Sequence, residues 1–428
     1  MTRSKSTNKR KQQQAQQKEK IAIDSGERAG SAGGAVSSPL DTAARHSAKG
    51  DPQRAERIYR QLLETDSGNL AALNDFGVLC RIQGRLEEAV LLYQKALAIE
   101  PDNPAVHRNL GNAHFDLQQF DLACKHLKLA LSANPGNLPL ADRLCHASIY
   151  SGNDEDAIRA ARLMVEYAPQ SPAVHKRLGF VLMHCRRLDE AYAAFSKFLH
   201  LDPGNESARH LLDVLAGDQP ANADPATILA NYGSTAAAYD KTIVKQLRNR
   251  TPQLLRGLLE RMPTPATGFS LVLDLACGTG LMGVQLRSLA RTLVGVDLSS
   301  EMVALARRKN IYDRLEVGDL VKFINDDILE YDLFSCSDAL IHIGDLEPLV
   351  DAVSNHASPG TLFLFSTESA DTGDYHLDPA SYRYRHSPGY VREVLARHRF
   401  ELIEYQVANI RVDRGGAVPG GLHLALKR

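Results

Sequence analysis

The stretch LVLDLACGTG at residues 271–280, followed by LVGVD at 293–297, decides the fold of the second half of this chain. Each segment starts as a short apolar run, which is typical of a buried parallel strand, and each carries an aspartate at or near its end. Gly278 and Gly280 let the backbone turn sharply and approach a ligand closely. The two segments therefore predict a strand, a glycine-rich turn, a helix and a second strand.

Strands and helices continue to alternate beyond this turn. The predicted strands cover residues 271–275, 292–297, 315–317, 331–336, 361–366, 402–412 and 422–427, and the predicted helices cover 280–289, 300–309, 346–356 and 388–397. Such alternation indicates an α/β fold with a doubly wound parallel sheet and helices on both faces. The connection at 413–420 is too short for a crossover helix, so the last two strands should form an antiparallel hairpin.

The ligand of an open α/β sheet binds beyond the carboxyl ends of its strands, where Gly278, Gly280 and Asp297 all lie. Asp297 can accept hydrogen bonds from both hydroxyls of a ribose. Gly283 completes a dinucleotide-binding spacing, which leaves a nicotinamide cofactor open. Asp274 favours S-adenosylmethionine instead, because a carboxylate repels a pyrophosphate and attracts an ammonium and a sulfonium.

The pattern Asp-x-x-Cys-Gly-Thr-Gly at 274–280 resembles motif I of the class I S-adenosylmethionine-dependent methyltransferases, and the resemblance covers roughly residues 254–428. It implies that the glycines pass under the methionine moiety and that Asp297 holds the ribose. It also implies that Asp319 contacts the adenine amine, although a helix-capping role for Asp319 is the alternative. The implied cofactor-binding residues are Asp274, Cys277, Gly278, Gly280, Asp297, Leu298, Asp319, Leu320, Ser337 and Asp338.

Methyl transfer needs a base only if the acceptor arrives protonated, and His342 is the predicted catalytic residue for that step. A packing role for His342 is the alternative. Further candidates are Arg385, His386 and Arg411 for an acidic acceptor and Tyr232 and Tyr239 for a lid, each with a solvated or core-packing alternative.

The first half of the chain carries a regular repeat. Alanines recur at a 34-residue interval at positions 55, 89, 123, 157 and 191, and prolines keep the same interval at 101, 135, 169 and 203. Glycines at 77, 111 and 179 share another phase, with Cys145 replacing the glycine of the fourth unit. The pattern resembles the tetratricopeptide repeat family over roughly residues 41–205, as five units. The resemblance implies an all-α solenoid whose concave face binds a protein or peptide partner, and a spacer or dimerisation stalk is the alternative.

The domain organisation follows from these boundaries. We predict a disordered basic leader at 1–40, repeats at 41–217, a linker at 218–225 and the methyltransferase domain at 226–428. The 428 residues carry a net charge of −1, which gives no general reason to expect nucleic-acid binding, although the leader could act as a basic arm. We find no signal peptide, no transmembrane run and no CxxC pair, so we predict a cytoplasmic protein with reduced cysteines.

Repeats followed by such a domain resemble a bacterial family of methyltransferases with N-terminal repeats. The sequence thus predicts an S-adenosylmethionine-dependent methyltransferase whose repeats recruit a protein partner or acceptor, without a metal site. Two alternatives stay open: a repeat scaffold or assembly factor whose methyltransferase-like domain binds cofactor but is inactive, and a nicotinamide-dependent oxidoreductase. The sequence names neither the methyl acceptor nor the acceptor atom.

Overall fold

A computed structural model of the chain describes residues 38–229, 240, 248–262, 268–413 and 416–428. Most of the predicted leader, and both candidate lid residues Tyr232 and Tyr239, lie outside the described residues. The chain divides into two compact units, Met1–Cys185 and Arg186–Arg428. The division into compact units assigns the last two helices of the repeat region to the second unit. The domain boundary that composition predicts between residues 217 and 218 therefore stays a prediction.

The repeat region is a series of helices joined by short turns. Their bounds are α1 Pro39–Ala48, α2 Pro52–Thr65, α3 Leu70–Ile82, α4 Leu86–Ile99, α5 Pro104–Asp116, α6 Phe120–Ala133, α7 Leu138–Ser151, α8 Asp154–Tyr167, α9 Pro172–His184, α10 Leu188–Leu201 and α11 Glu206–Ala216. The first eight helices pack as four consecutive pairs along the chain. The predicted helical repeat region is therefore confirmed.

Small residues explain why the repeat interval is kept. The interval alanines Ala55, Ala89, Ala123, Ala157 and Ala191 are completely buried. A Cβ atom added at Gly77 would lie 2.5 Å from the ring of Tyr93, and one at Gly111 would lie 2.8 Å from Leu127. The first and second helices of these repeats thus approach so closely that only glycine fits at the crossing.

The second unit contains a seven-stranded sheet with the order β3-β2-β1-β4-β5-β9-β8. The strand bounds are β1 Phe269–Leu275, β2 Ala290–Asp297, β3 Arg314–Val317, β4 Leu333–Cys336, β5 Leu362–Glu368, β6 Tyr375–Asp378, β7 Arg383–His386, β8 Phe400–Asp413 and β9 Gly416–Lys427. Strands β1 to β5 pair in parallel, and β9 is antiparallel to both β5 and β8. The predicted parallel sheet and its final hairpin are confirmed, whereas the small β6–β7 sheet was not predicted.

Helices connect the strands of this unit. They are α12 Thr251–Leu259, α13 Leu281–Leu286, α14 Ser300–Lys309, α15 Leu320–Asp326, α16 Glu347–Asn355 and α17 Pro388–Arg397. Strand β1 lies between β2 and β4, so the connections leave it toward opposite sides and open a crevice at its carboxyl end. In this register Asp274 lies level with Gly295 of β2 and Ser335 of β4.

The segment predicted as a linker, residues 218–225 and called the connector below, belongs to the second unit and is hydrogen-bonded to the turn that follows β4. The amide of Ala223 donates to the carbonyl of His342 at 2.9 Å, and the amide of Gly344 donates to the carbonyl of Ala221 at 2.7 Å. The connector therefore holds the turn after β4, which carries His342, in place.

Among the described residues, we find no helix that is both long and apolar enough to span a membrane. Within the same ranges there is no group of three or more metal-ligating side chains. All six cysteines are free thiols.

Candidate cofactor and acceptor site

Asp274 is the most constrained carboxylate of the site. It is only 1% exposed, and its two oxygens accept hydrogen bonds from the hydroxyls of Ser335 and Tyr312, each at 2.6 Å. Burial raises the pKa of this carboxyl to about 6, opposed by these two hydrogen bonds, while the nearby charge of Asp297 adds to the increase. The buried negative charge is therefore under-compensated, and a cation next to it is favoured.

Asp297 connects the end of β2 to the glycine-rich turn. Its carboxylate accepts hydrogen bonds from the amide of Gly278 at 2.9 Å and from the amide of Ser299 at 2.8 Å. Burial raises its pKa, and the two amides oppose that increase. Each carboxylate oxygen keeps a further lone pair for a ligand.

The glycine-rich turn leaves room for a ligand. Gly278 and Gly280 have φ angles of +54° and +92°, in the left-handed region that favours glycine. A Cβ atom added at Gly278 would meet nothing closer than the carbonyl oxygen of Ala276 at 4.0 Å. A ligand can therefore approach the backbone here, as the sequence predicts.

Tyr312 is a site residue that sequence reasoning missed. A Cβ atom at Gly283 would lie 2.2 Å from its hydroxyl oxygen, and one at Gly295 would lie 2.8 Å from its ring. The third glycine of the dinucleotide spacing thus makes room for a tyrosine ring beside the turn. Gly295 inside a strand was the available signal, since such a glycine often marks a close approach by another group.

Cys277 contributes to the turn through its backbone. Its amide donates to the carbonyl of Val296 at 3.0 Å, and its carbonyl accepts from the amide of Gly280 at 2.8 Å. Burial raises the pKa of its thiol well above the usual range, so the side chain is an uncharged thiol.

The other predicted cofactor residues follow the carboxyl ends of β2, β3 and β4. Asp319 is exposed at the start of α15, where it accepts a hydrogen bond from the amide of Lys322 at 2.9 Å. The capping geometry that was the alternative for Asp319 is thus present, and its second oxygen takes no part in the cap. Leu298, Leu320 and Ser337 are half-buried.

Asp338 lies just beyond the end of β4 with a φ angle of +57°. Its carboxylate accepts hydrogen bonds from Asn249 and, at 3.2 Å, from the hydroxyl of Thr251, while its amide donates to the hydroxyl of Ser366 at 2.9 Å. Burial raises its pKa, and the hydrogen bond from Asn249 opposes the increase. Sequence reasoning missed Asn249 and Thr251, because they lie far from β4 along the chain.

His342 lies on the single turn of 3-10 helix after β4. Burial lowers its pKa to about 3, and the positive charges of Arg383 and Arg411 lower it further in the same direction. The imidazole is therefore neutral near pH 7 but is a weak proton acceptor. Its role as a general base stays a prediction, and its electrostatic surroundings oppose that role.

Three arginines converge on one buried carboxylate, Glu368, at the carboxyl end of β5. Arg411 donates a hydrogen bond to Oε1 of Glu368, Arg383 approaches the same oxygen at 3.7 Å, and Arg385 approaches Oε2 at 3.9 Å. We call Arg383, Arg385 and Arg411 the arginine cluster.

His386, the third acidic-acceptor candidate of the sequence, has a different environment. It is 1% exposed, and its Nε2 lies 2.9 Å from the carbonyl oxygen of Ile343 and 3.1 Å from that of Gly344. That nitrogen therefore donates to the backbone of the turn after His342, which indicates a structural role.

Two groups of predicted residues are thus brought together at one edge of the sheet. Asp274, Gly278 and Asp297 form the first group at the ends of β1 and β2, and Asp338 and His342 form the second beyond the end of β4. Within the first group the amide of Gly278 donates to Asp297 at 2.9 Å, and the positive charges of Arg383 and Arg411 act on both members of the second group.

Family models match both halves of the chain. A methyltransferase domain model matches residues 273–363, and two models of tetratricopeptide repeats match residues 77–118 and 104–137. The chain contains tetratricopeptide repeats and a methyltransferase domain. The domain match covers Asp274, Asp297 and Asp338, and it agrees with S-adenosylmethionine as the cofactor.

Curated relatives are similar to one half of the chain at a time. The ubiquinone biosynthesis O-methyltransferase of Xylella fastidiosa is 28% identical over 127 residues, which are 29% of this chain and 50% of that protein. The heat shock protein STI1 of Saccharomyces cerevisiae is 27% identical over 208 residues, or 46% of this chain and 33% of that protein. The chain thus spans half or less of the length of these relatives.

The comparison with solved structures gives two further similarities. The magnesium protoporphyrin IX methyltransferase of Synechocystis is 17% identical with a TM-score of 0.38, over 48% of this chain and 100% of that chain. MamA AMB-1 is 26% identical with a TM-score of 0.34, over 38% of this chain and 96% of that chain.

Proposed function

We propose that this chain is an S-adenosylmethionine-dependent methyltransferase whose repeats recruit a protein partner or the methyl acceptor. The observation that carries the enzymatic part is the pair of carboxylates beside the glycine-rich turn, the buried Asp274 and the half-buried Asp297. Burial and the nearby charge of Asp297 both raise the pKa of Asp274, so the site favours a ligand with positive charge. A nicotinamide dinucleotide brings a pyrophosphate to this place and fits these charges poorly.

The residues of the turn fit this cofactor. Asp297 would hold the ribose, the open backbone at Gly278 would face the methionine part, and Asp319 would lie nearest the adenine. When bound, S-adenosylmethionine supplies an electrophilic methyl group. The protein's own contribution is to position the acceptor in line with that group, which is the main source of rate in such a displacement.

Asp338 and His342 lie where an acceptor would approach. Asp338 is fixed by Asn249 and Thr251, and the neutral His342 can serve as a hydrogen-bonding group. Because this histidine is a weak base, the site suits an acceptor atom that is already deprotonated or that needs no proton removal.

The recruiting role of the repeats is supported by a row of polar contacts between equivalent first helices. The side-chain amide of Asn109 on α5 donates to Asn74 on α3 at 2.8 Å, and Arg177 on α9 pairs with Asp142 on α7 at 2.5 Å. Arg143 on α7 lies over the ring of Phe115, with its guanidinium carbon 4.7 Å from the ring centroid. A continuous polar row along a solenoid is suited to an extended chain as ligand.

We place the protein in the cytoplasm. Its six free cysteines support a reducing compartment, since secreted proteins usually pair theirs.

The cofactor is tested by calorimetric titration of the full chain with S-adenosylmethionine and S-adenosylhomocysteine, and separately with NADH. We expect saturable binding of the first two, its loss in Asp297→Ala, and unchanged binding in Asp121→Ala, an exposed aspartate of the repeat helix α6. NADH binding in place of the other two would refute the proposal.

Catalysis and recruitment are tested together with methyl-labelled cofactor in a lysate. We expect label transfer by the wild type and reduced transfer by the double variant Arg143→Glu/Arg177→Glu, with unchanged S-adenosylhomocysteine binding. Cofactor binding without transfer to any acceptor would favour the alternative, a scaffold or assembly factor with an inactive domain.

A further inference from the structure

The members of the arginine cluster differ in solvent exposure, from a buried side chain to an accessible one. The side chain of Arg411 is 4% exposed, that of Arg383 is 24% exposed and that of Arg385 is 42% exposed. Glu368, the carboxylate that they share, is 3% exposed at its side chain. The cluster therefore presents guanidinium groups to the solvent side while its anion lies at the bottom.

The buried part of the cluster leaves a donor of Arg411 without an acceptor among the described residues. Glu368 offers one carboxylate to all three arginines, and Asp378 is a second partner for Arg385 at 3.5 Å. The Nε of Arg411 is buried and has no hydrogen-bond acceptor among the described residues. A buried guanidinium donor without an acceptor is costly, and an added oxyanion would remove that cost.

The cluster lies at the same edge of the sheet as the crevice. Glu368 ends β5, which pairs in parallel with β4, and Arg411 lies near the end of β8, which runs in the same direction as β5. Arg383 and Arg411 are close enough to His342 to lower its pKa. A ligand on the arginines would thus lie beside the turn that follows β4.

We propose that the arginine cluster binds an oxyanion group, a carboxylate or a phosphate, of the methyl acceptor. The inference rests on the proposed methyltransferase function and adds the chemical class of its substrate. A planar guanidinium donates two parallel hydrogen bonds to either group, and two or three guanidiniums around one oxyanion give both affinity and orientation.

The test uses the full chain and three ring compounds of similar size. Benzoate, phenyl phosphate and the neutral benzamide are titrated by calorimetry, each with and without saturating S-adenosylhomocysteine. We expect benzoate or phenyl phosphate to bind and benzamide not to bind. Binding of benzoate alone identifies a carboxylate ligand, and binding of phenyl phosphate alone identifies a phosphate ligand.

Variants separate a binding site from a structural ion pair. Arg385→Gln changes the most exposed member, so the fold should survive, and it should weaken anion binding by about tenfold or more. Arg291→Gln is the matched control, because this exposed arginine lies at the start of β2, at the opposite edge of the sheet. Glu368→Gln should act in the opposite direction and strengthen anion binding, since it removes the competing carboxylate.

The outcomes distinguish the two proposals. If S-adenosylhomocysteine binds and neither anion does, or if benzamide binds as well as the anions, the oxyanion inference is overturned while the methyltransferase proposal stands. Equal anion affinity in wild type and Arg385→Gln also overturns it. If the anions bind through Arg385 but S-adenosylhomocysteine does not bind, the cluster is an anion site and the methyltransferase proposal fails.

Discussion

Replacement of Asp274 by asparagine tests whether the ionised carboxylate of this residue reduces the free energy of unfolding. The carboxyl has a pKa of about 6 in the folded chain, against 3.8 ordinarily. The folded state therefore binds the proton more tightly than the unfolded state, so ionisation of Asp274 reduces stability as pH rises through this window. The difference of about 2 pKa units corresponds to about 3 kcal/mol.

The asparagine resembles the protonated carboxyl in shape and cannot ionise. We expect the stability of Asp274→Asn relative to wild type to increase by about 3 kcal/mol between pH 4 and pH 7.5. The same variant should lose cofactor binding, because the negative charge that attracts the sulfonium is gone. The site would then be one at which function is kept at the expense of stability.

The assay is hydrogen–deuterium exchange of the β1 and β4 peptides, corrected for the intrinsic exchange rate at each pH. It reports the free energy of opening of the sheet itself. This is needed because a chain with two units does not unfold in a single two-state transition. Gly257→Ala on α12 exchanges one non-ionisable side chain for another, so it is the control and should show a flat difference across the same pH range. A flat difference for Asp274→Asn as well would refute the reasoning, because Asp274 would then carry no excess cost of ionisation.

Three further predictions concern neighbouring residues. Gly283→Ala should destabilise the second unit by about 1–3 kcal/mol in thermal unfolding, because the added carbon meets Tyr312. The control Gly257→Ala lies in a helix with open space around it and should stabilise the unit by about 0.5–1 kcal/mol. Equal effects would contradict the packing argument. Tyr312→Phe removes a hydrogen bond to Asp274 and should weaken S-adenosylhomocysteine binding by about tenfold by calorimetry, with Tyr405→Phe as an unaffected control. Glu368→Gln should lower the unfolding free energy by about 3–5 kcal/mol, since it leaves Arg411 buried without its anion, while Glu401→Gln in an exposed pair should change it little.

The sequence predicted the sheet because its signal is local. Each buried strand is an apolar run beside a turn, and the helices at 300–309 and 388–397 begin and end as predicted. The small β6–β7 sheet was missed because each strand has only four residues and a proline lies between them, although the alternation of tyrosine and arginine at 382–385 was an available period-two signal.

The site was predicted less completely than the fold. The carboxylates and glycines of the crevice belong to short motifs, but their partners come from distant segments. Tyr312 reaches Asp274 from beyond β2, and Asn249 reaches Asp338 from before β1. Such pairings depend on tertiary contacts, and no spacing along the chain encodes them. The weak basicity of His342 likewise follows from burial beside two arginines, which only the folded chain creates.

The hydrogen bonds of the connector limit where the repeats of this chain can be replaced by those of another protein. A recombination that swaps the repeat array at residue 226 would remove the backbone partners of the turn that carries His342, since Ala221 and Ala223 supply them. A viable chimaera has to keep residues 218–225 with the downstream half. The segment that has to be transferred together is thus larger than the methyltransferase domain alone, and the exchange point lies before residue 218.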